Sequence, residues 1–276
     1  MKDKIIRARC SLFLFYQLRC YGGFFKGKKN TRPNKFFVHY KNNYFETGIM
    51  NLKKVLITLI ILCLYVIASA QNNQDTTSVI WKINSLDKIG GNEITIFGNP
   101  QIIETPEGKA IRFNGIKDGI IVHANPLNGV SSFTLEVLFK PDTSAISENK
   151  EQRFVHIQNP GKESRRMLIE LRLTDDNKWF LDTHINTDSA SRTLYAEKFI
   201  HPLNEWYHAA LVYENGCVRH FVNGIEEMSG HVKFIPISNG NVSIGMRMNK
   251  RSYFKGEIKL VRFTNYALHP DQFIEK

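Results

Sequence analysis

Three neighbouring stretches of this sequence carry polar side chains of fixed geometry at alternate positions. His156 and Gln158 alternate with Val155 and Ile157, and Glu170 and Arg172 alternate with Ile169, Leu171 and Leu173. Asp182 and His184 alternate with Leu181, Thr183 and Ile185. A period of two is the signature of a β-strand, whose successive side chains point to opposite faces. Asp175-Asp176-Asn177 reads as the turn between the second and third stretches, so antiparallel pairing sets the polar residues side by side. Two imidazoles, a guanidinium, a carboxamide and two carboxylates are donors and acceptors suited to sugar hydroxyls or uronate carboxylates. His156, Gln158, Glu170, Arg172, Asp182 and His184 are therefore the candidate ligand-binding residues. A solvated or ion-paired outer sheet face stays open as a second reading, and a catalytic face as a third. A carboxylate beside Arg172 is expected to be an ion pair with a depressed pKa rather than a general acid.

The rest of the chain supplies strands and turns to position these residues. Phe133 to Lys140, Trp179 to Ile185 and Val242 to Met248 all alternate. Five Asn-Gly pairs punctuate the chain, at Asn114-Gly115, Asn128-Gly129, Asn215-Gly216, Asn223-Gly224 and Asn239-Gly240. Each supplies the positive φ values of a tight hairpin turn. A helix is signalled only by His269-Pro270-Asp271, near the end. Many short strands with frequent turns, and no room for crossover helices, predict an all-β antiparallel sandwich of jelly-roll type. Tyr207 to Tyr213 is apolar on both faces, which marks an inner strand.

Charge and cysteine divide the chain at residue 70. Of 37 Lys+Arg and 26 Asp+Glu, 13 and 2 lie in residues 1–70, leaving 24 of each in the other 206 residues. A balanced body argues against phosphate-driven nucleic-acid binding. Met50, Lys53 and Lys54, the uncharged run from Val55 to Ala68 and the small residues Ala68-Ser69-Ala70 follow the plan of a secretory signal peptide over 50–70. The run is short of the ~20 apolar residues of a spanning helix. Cys63 lies inside it and Gln71 occupies the junction, which excludes a lipid-anchoring cysteine there. Residues 1–49 read as a mis-assigned upstream extension or a basic tail, 71–78 as a linker, and 79–276 as the domain. The expected location is secreted, periplasmic or at the cell surface, with no membrane association after cleavage. Cys217 alone remains in the mature chain, so no internal disulfide forms. No C-x-x-C pair offers a thiolate zinc site, and Cys217 reads as a packed small residue.

Glu205-Trp206-Tyr207-His208-Ala209-Ala210-Leu211-Val212-Tyr213, then Asn215-Gly216 and Val218-Arg219-His220-Phe221-Val222-Asn223-Gly224, resembles the core hairpin of laminin-G-like, concanavalin A-like jelly rolls of exported bacterial proteins. Ser132 to Glu136 with Lys140-Pro141 is similar to that family's first core strand. Ser243-Ile244-Gly245, Tyr253 to Ile258, Val261-Arg262-Phe263 and Ala267-Leu268 are similar to its closing strands. The resemblance runs from about Ile80 to the C-terminus and implies the fold. It implies a structural role for His208, and it admits a carbohydrate-binding module, a glycoside hydrolase or polysaccharide lyase, or an adhesion or structural interaction module. The E-x-D-x-x-E or E-x-D-x-E run of laminarinase-type members is absent. Of the alginate-lyase pattern, His156-Ile157-Gln158 is reversed and the last Tyr after Tyr253-Phe254-Lys255-Gly256 is missing. The expected function is noncatalytic recognition of a glycan or polysaccharide. Relatives also bind Ca²⁺ through loop carboxylates. Asp175-Asp176-Asn177 has such oxygens without a supporting spacing, and His156 with His184 lacks an evident third zinc ligand, so the metal stays open.

Overall fold

The computed structural model describes residues 55–60 and 78–275. The expectations for residues 1–49, for the leader over 50–70 and for the linker over 71–78 fall almost wholly outside them. Within the leader, 55–60 is helical, and no helix among the described residues is long and apolar enough to cross a membrane. The chain divides into two compact units, Met1–Val66 and Ile67–Lys276. The second is a jelly-roll sandwich of two antiparallel sheets.

An eight-stranded sheet runs in the order β15 (Ile225–His231), β14 (Cys217–Val222), β13 (Tyr207–Glu214), β7 (Phe133–Pro141), β17 (Lys255–Thr264), β5 (Gly108–Asn114) and β4 (Gln101–Thr105). Strand β1 (Ser78–Lys82) pairs with the C-terminal half of β17. The nine-stranded sheet runs β11 (Ala190–Tyr195), β10 (Lys178–Thr187), β9 (Lys162–Leu173), β8 (Glu151–Asn159), β16 (Asn241–Ile244), β6 (Gly119–Val122), β3 (Asn92–Phe97) and β2 (Lys88–Ile89). Strand β12 (His201–Pro202) pairs with the start of β10. The apolar member of each alternating pair points between the sheets. Phe133, Leu135, Val137 and Phe139 meet Phe154, Ile157, Ile169, Leu171, Trp179 and Leu181 there. Phe139 stacks on Phe154 at a centroid distance of 4.3 Å. Polar contacts also cross between the sheets, from Thr183 Oγ1 to His220 Nδ1 at 3.0 Å and from Tyr207 OH to Pro202 O at 2.9 Å.

Two of the five Asn-Gly pairs adopt the expected hairpin geometry. Asn215 and Gly216 have φ of 50° and 82°, and Asn223 and Gly224 have 48° and 79°. At the other three only Gly115, Gly129 and Asn239 are left-handed. Asn114 instead works through its side chain, whose Oδ1 accepts from the backbone N–H of Ile116, Lys117 and Asp118. That carboxamide folds the link into β6 as an Asx turn rather than a two-residue hairpin.

Strand β13 lies between β14 and β7, as its two apolar faces predict. Its outer face is covered by the C-terminal segment after β17. Ala267 and Phe273 pack on Ala210, Val212 and Phe221. The segment is pinned by Glu136, which accepts from Ile274 N at 2.9 Å, from His208 Nε2 at 2.9 Å and from Arg262 Nε. The expected structural role of His208 is thus realised as a buried hydrogen bond. The expected helical turn appears as a 3-10 turn at Pro270–Gln272.

The alternating run Val242 to Met248 does not form one strand. Strand β16 ends at Ile244, and Gly245, with φ of 77°, turns the chain back across the outer face of its own sheet. Met246 then lies over β6, where a Cβ on Gly119 would come within 2.4 Å of its side chain. A Cβ on Gly245 would sit 2.4 Å from the Phe113 ring, in a backbone region that side chains rarely adopt. Gly245→Ala is expected to cost about 1–3 kcal/mol. A drop in the thermal midpoint checks it, and an unchanged midpoint contradicts it.

Candidate ligand-binding face

All six candidate residues lie on the outer face of the nine-stranded sheet. Asp182 pairs directly with Glu170, and His184 and His156 flank Leu168 from either side. Gln158 pairs with Arg166, and Arg172 with Glu151 and Phe180. Cross-strand partners in antiparallel sheets point the same way, so these side chains form one patch across β8, β9 and β10.

The patch is not a plain solvent-facing surface. His156 and Asp182 are fully buried and Glu170 is 3 % exposed, whereas Gln158, Arg172 and His184 are half-buried. Two features build this floor. The segment that turns at Gly245 closes over its β16 side, where Met248 N donates to His156 Nδ1 at 3.0 Å. Arginines close over the rest. Arg153 Nε lies 2.7 Å from Glu170 Oε2 and a second nitrogen pairs with Glu151. Arg172 bonds Asp182 Oδ2 through Nε at 2.8 Å and Glu151 through Nη1 at 2.9 Å. Its guanidinium also sits over the exposed Tyr195 ring at 5.5 Å.

Arg153, Glu151, Tyr195 and Arg247 were absent from the sequence expectation. Arg153 is displaced by a β-bulge between Arg153 and Val155, which sends Phe154 to the core and Arg153 outward. A bulge shifts the parity that alternation relies on. Arg165 and Arg166 lie within β9. Arg165 pairs with Asp188 at 2.6 Å, and Arg166 faces the patch.

Several buried polar atoms here make no hydrogen bond: Arg153 Nε and Nη1, His156 Nε2, Glu170 Oε2, Asp182 Oδ1 and His184 Nε2. The 2.7 Å approach of Arg153 Nε to Glu170 is thus a close contact without hydrogen-bond alignment. Burial pushes both carboxyls up. Glu170 rises to about 8 against the pull of Arg153, and Asp182 rises against its bond to Arg172. The depressed pKa expected for a carboxylate beside Arg172 is therefore not found. Desolvation outweighs the ion pairing, because these groups have left water.

Burial holds three imidazoles below their usual range, His184 at about 4, His220 at about 3 and His156 well below 6.5. Nearby arginines add to the effect at His156 and His184. A depressed base contributes stability above its unfolded value of 6.5 and loses it as pH falls. Glu170 has the opposite sign. Its contribution is complete below 4.5 and is lost as pH rises towards 8. Three histidines outweigh the two raised carboxyls on the acid side, so stability is expected to peak near pH ~6–6.5. Denaturant midpoints across this range check the profile. In Glu170→Gln the alkaline limb flattens, and a wild-type midpoint constant from about pH 6.5 to 8 would contradict the assignment.

The carboxylates of the Asp175-Asp176-Asn177 turn are exposed and each faces a lysine. Asp175 pairs with Lys150 and Asp176 with Lys178 at 2.8 Å. No group of three or more His, Cys, Asp or Glu among the described residues is arranged to hold a metal ion. A cleft of about 680 Å³ opens on the other sheet, lined by Arg112, Lys140, Lys255, Asp142 and Glu257 among others. Its charges are largely matched, Arg112 to Glu257 at 2.7 Å and Lys255 to Asp142 at 3.3 Å. None of the orphaned polar atoms lines it; among the described residues six of the eight lie on the outer face of the nine-stranded sheet, and the other two, His220 Nε2 and Glu227 Oε2, belong to β14 and β15.

Comparison with known proteins accords with this architecture. A family model described as "Concanavalin A-like lectin/glucanases superfamily" matches residues 114–273. No curated protein matches the sequence. Domain 4 of an extracellular GH43 arabinanase from Geobacillus stearothermophilus, solved with arabinotriose, superposes with a TM-score of 0.53 at 21% identity. That match covers 70% of this chain and 94% of that domain. The binding domain of botulinum neurotoxin DC, solved with SialylT, gives 0.53 at 14% identity over 71% of this chain and 49% of that one. The structure titled for dependence of botulinum neurotoxin type C cell entry on two ganglioside molecules gives 0.51 at 12% identity, over 73% and 50%. The chain thus spans about half the length of the toxin chains. At these identities the likeness is one of fold.

Proposed function

The chain belongs to the concanavalin A-like lectin/glucanases superfamily, and we propose that it is an exported, noncatalytic carbohydrate-binding module. The observation that carries the reading is the set of orphaned donors and acceptors gathered on one sheet face. Buried polar atoms in a native protein find partners, and here the missing partners would be ligand or water. His184, Gln158, Arg172 and Tyr195 are the accessible contacts. Glu170, Asp182 and His156 form the floor that orients them. Two structural neighbours were solved with or named for glycans, arabinotriose and gangliosides, which supports the ligand class. Affinity electrophoresis through gels containing a panel of polysaccharides tests it. Retardation in at least one gel is expected, and unretarded migration in all of them would overturn the reading in favour of an adhesion or structural module.

Export is proposed from the apolar run before Gln71. Intact mass of the mature protein is expected to begin at that residue, and a species retaining residues before Met50 would contradict it. One observation favours a second reading, a glycan-cleaving enzyme. Glu170 and Asp182 are direct cross-strand neighbours, and a carboxyl held near 8 stays protonated at neutral pH as a general acid must. New reducing ends released from a retained polysaccharide, and lost in Glu170→Gln, would establish that reading in place of the first.

A further inference from the structure

We propose that the side of this face nearest the 245–252 loop is an anion site, which takes a carboxylate or sulfate group of an acidic glycan. The inference rests on the glycan reading and deepens it by naming the ligand class. Arg153 of β8, Arg166 of β9 and Arg247 and Arg251 of the loop lie within electrostatic reach of one another there, and a backbone bridge joins Arg247 to Arg251. Of these four, Arg153 is paired with carboxylates of the patch, and among the described residues Arg166 and Arg251 form no side-chain ion pair. Glu151 is shared by Arg153 and Arg172, Asp182 is bonded to Arg172, and Glu170 contacts Arg153. Glu163, 62 % exposed, serves two of the four arginines, its carboxylate 3.8 Å from Arg247 and its backbone oxygen accepting from Arg166. Burial holds Arg166 and Arg247 below the usual guanidinium range; Glu163 opposes it, most at Arg166, and the other arginines add to it at both. A cluster of cations that destabilise one another is an incomplete ion-pair network, and an anion completes it.

The orphaned atoms are a separate observation, and they give the ligand a direction. Met248 N is a donor, so His156 Nδ1 accepts, and the proton of the neutral ring is on Nε2. His156 Nε2 and Arg153 Nη1 are therefore buried donors without acceptors. Both residues are over nine-tenths buried. Farther along the face, Glu170 Oε2 and Asp182 Oδ1 are buried carboxyl oxygens without a hydrogen bond. A sugar acid matches this order, with its anionic oxygens at the arginine end and its hydroxyls over Asp182. The loop that brings Arg247 and Arg251 is held in unusual backbone geometry. Lys250 has φ of 59° and Ser252 of 52°, and Ser252 O accepts from Arg153 N at 3.0 Å. Strain of this kind collects at ligand clamps.

Two assays on the full chain separate the anion site from the glycan reading. Thermal midpoints are measured in sodium sulfate and in sodium chloride at equal ionic strength. Binding of pectin- and alginate-derived oligouronates is measured beside their carboxyl-reduced counterparts. Both are repeated with Arg166→Gln/Arg247→Gln and with the loop variant Arg251→Gln, whose exposed position spares the fold. Sulfate is expected to raise the wild-type midpoint above chloride and to lose that effect in the variants. At least one oligouronate is expected to bind ten-fold or more tightly than its reduced form, with the preference lost in the variants. Equal binding of both forms, with no sulfate effect, overturns the anion site and leaves the glycan reading standing. A sulfate effect without binding of any sugar supports the anion site and overturns the glycan reading.

Discussion

Glu136→Leu is expected to destabilise the domain by about 3–5 kcal/mol, the cost of leaving a buried polar partner uncompensated. Glu136 is fully buried and serves three donors, His208, Arg262 and the backbone of Ile274. Arg262 in turn donates through Nη2 to Gln272 O at 2.7 Å, so one carboxylate ties the centre of the eight-stranded sheet to the C-terminal segment. Without it that segment loses its anchor, and the apolar strip of Ala210, Val212 and Phe221 loses its cover. For a domain of this size the midpoint should fall by roughly 6–20 °C. Limited proteolysis should cleave after Tyr266 well below that midpoint. Pairing the change with Arg262→Met should recover part of the loss, because replacing both partners removes the orphaned charge. A Glu136→Leu protein with wild-type stability and a protected tail would contradict this account of the C-terminus.

Arg172→Lys is expected to cost on the order of 30-fold or more in affinity for whichever glycan the protein retains, ~2 kcal/mol or more. Arg172 spans the patch, bonding Asp182 with one nitrogen and Glu151 with another while its plane lies over Tyr195. Lysine keeps the charge and loses the planar fork that holds all three at once. The substitution therefore disorders the contact surface without stripping Asp182 of every cation, and the fold should survive it. Arg172→Ala should lose affinity and stability together. Arg112→Ala, on the other sheet, should lose neither measurably, since its side chain is mostly exposed. Titration of the retained oligosaccharide against the three variants checks the order, and equal affinity in wild type and Arg172→Lys would remove this face from the site.

The strand pattern and the shared face of His156, Gln158, Glu170, Arg172, Asp182 and His184 were legible in the sequence because period-2 alternation depends on local geometry alone. The hairpin at Asn215-Gly216 was legible for the same reason, and the fold class followed from many such segments. What eluded that reading depends on residues distant in the chain or on breaks in parity. The run through Met248 alternates without a flaw, yet Gly245 sits at φ of 77°, with the Phe113 ring where a Cβ would lie. That single turn converts an expected open face into a partly roofed one. The bulge beside Arg153 added a cation that alternation assigned to the wrong side. The cover over β13 comes from Ala267 and Phe273, more than fifty residues onward. The expected acidity of the carboxylates failed because pairing with arginine was visible in sequence and desolvation was not.

Histidine side-chain NMR tests the central assignment most directly, because the imidazoles sample several parts of the fold. His156 and His184 have orphaned Nε2 atoms on the proposed face. His208 is sealed under the C-terminal segment, bonded to Glu136, and His220 lies within the core against Thr183. Addition of a retained oligosaccharide is predicted to shift the His156 and His184 Nε2 resonances and to leave His208 and His220 in place. Saturable binding that leaves His156 and His184 unmoved would place the ligand elsewhere on the molecule and contradict the account.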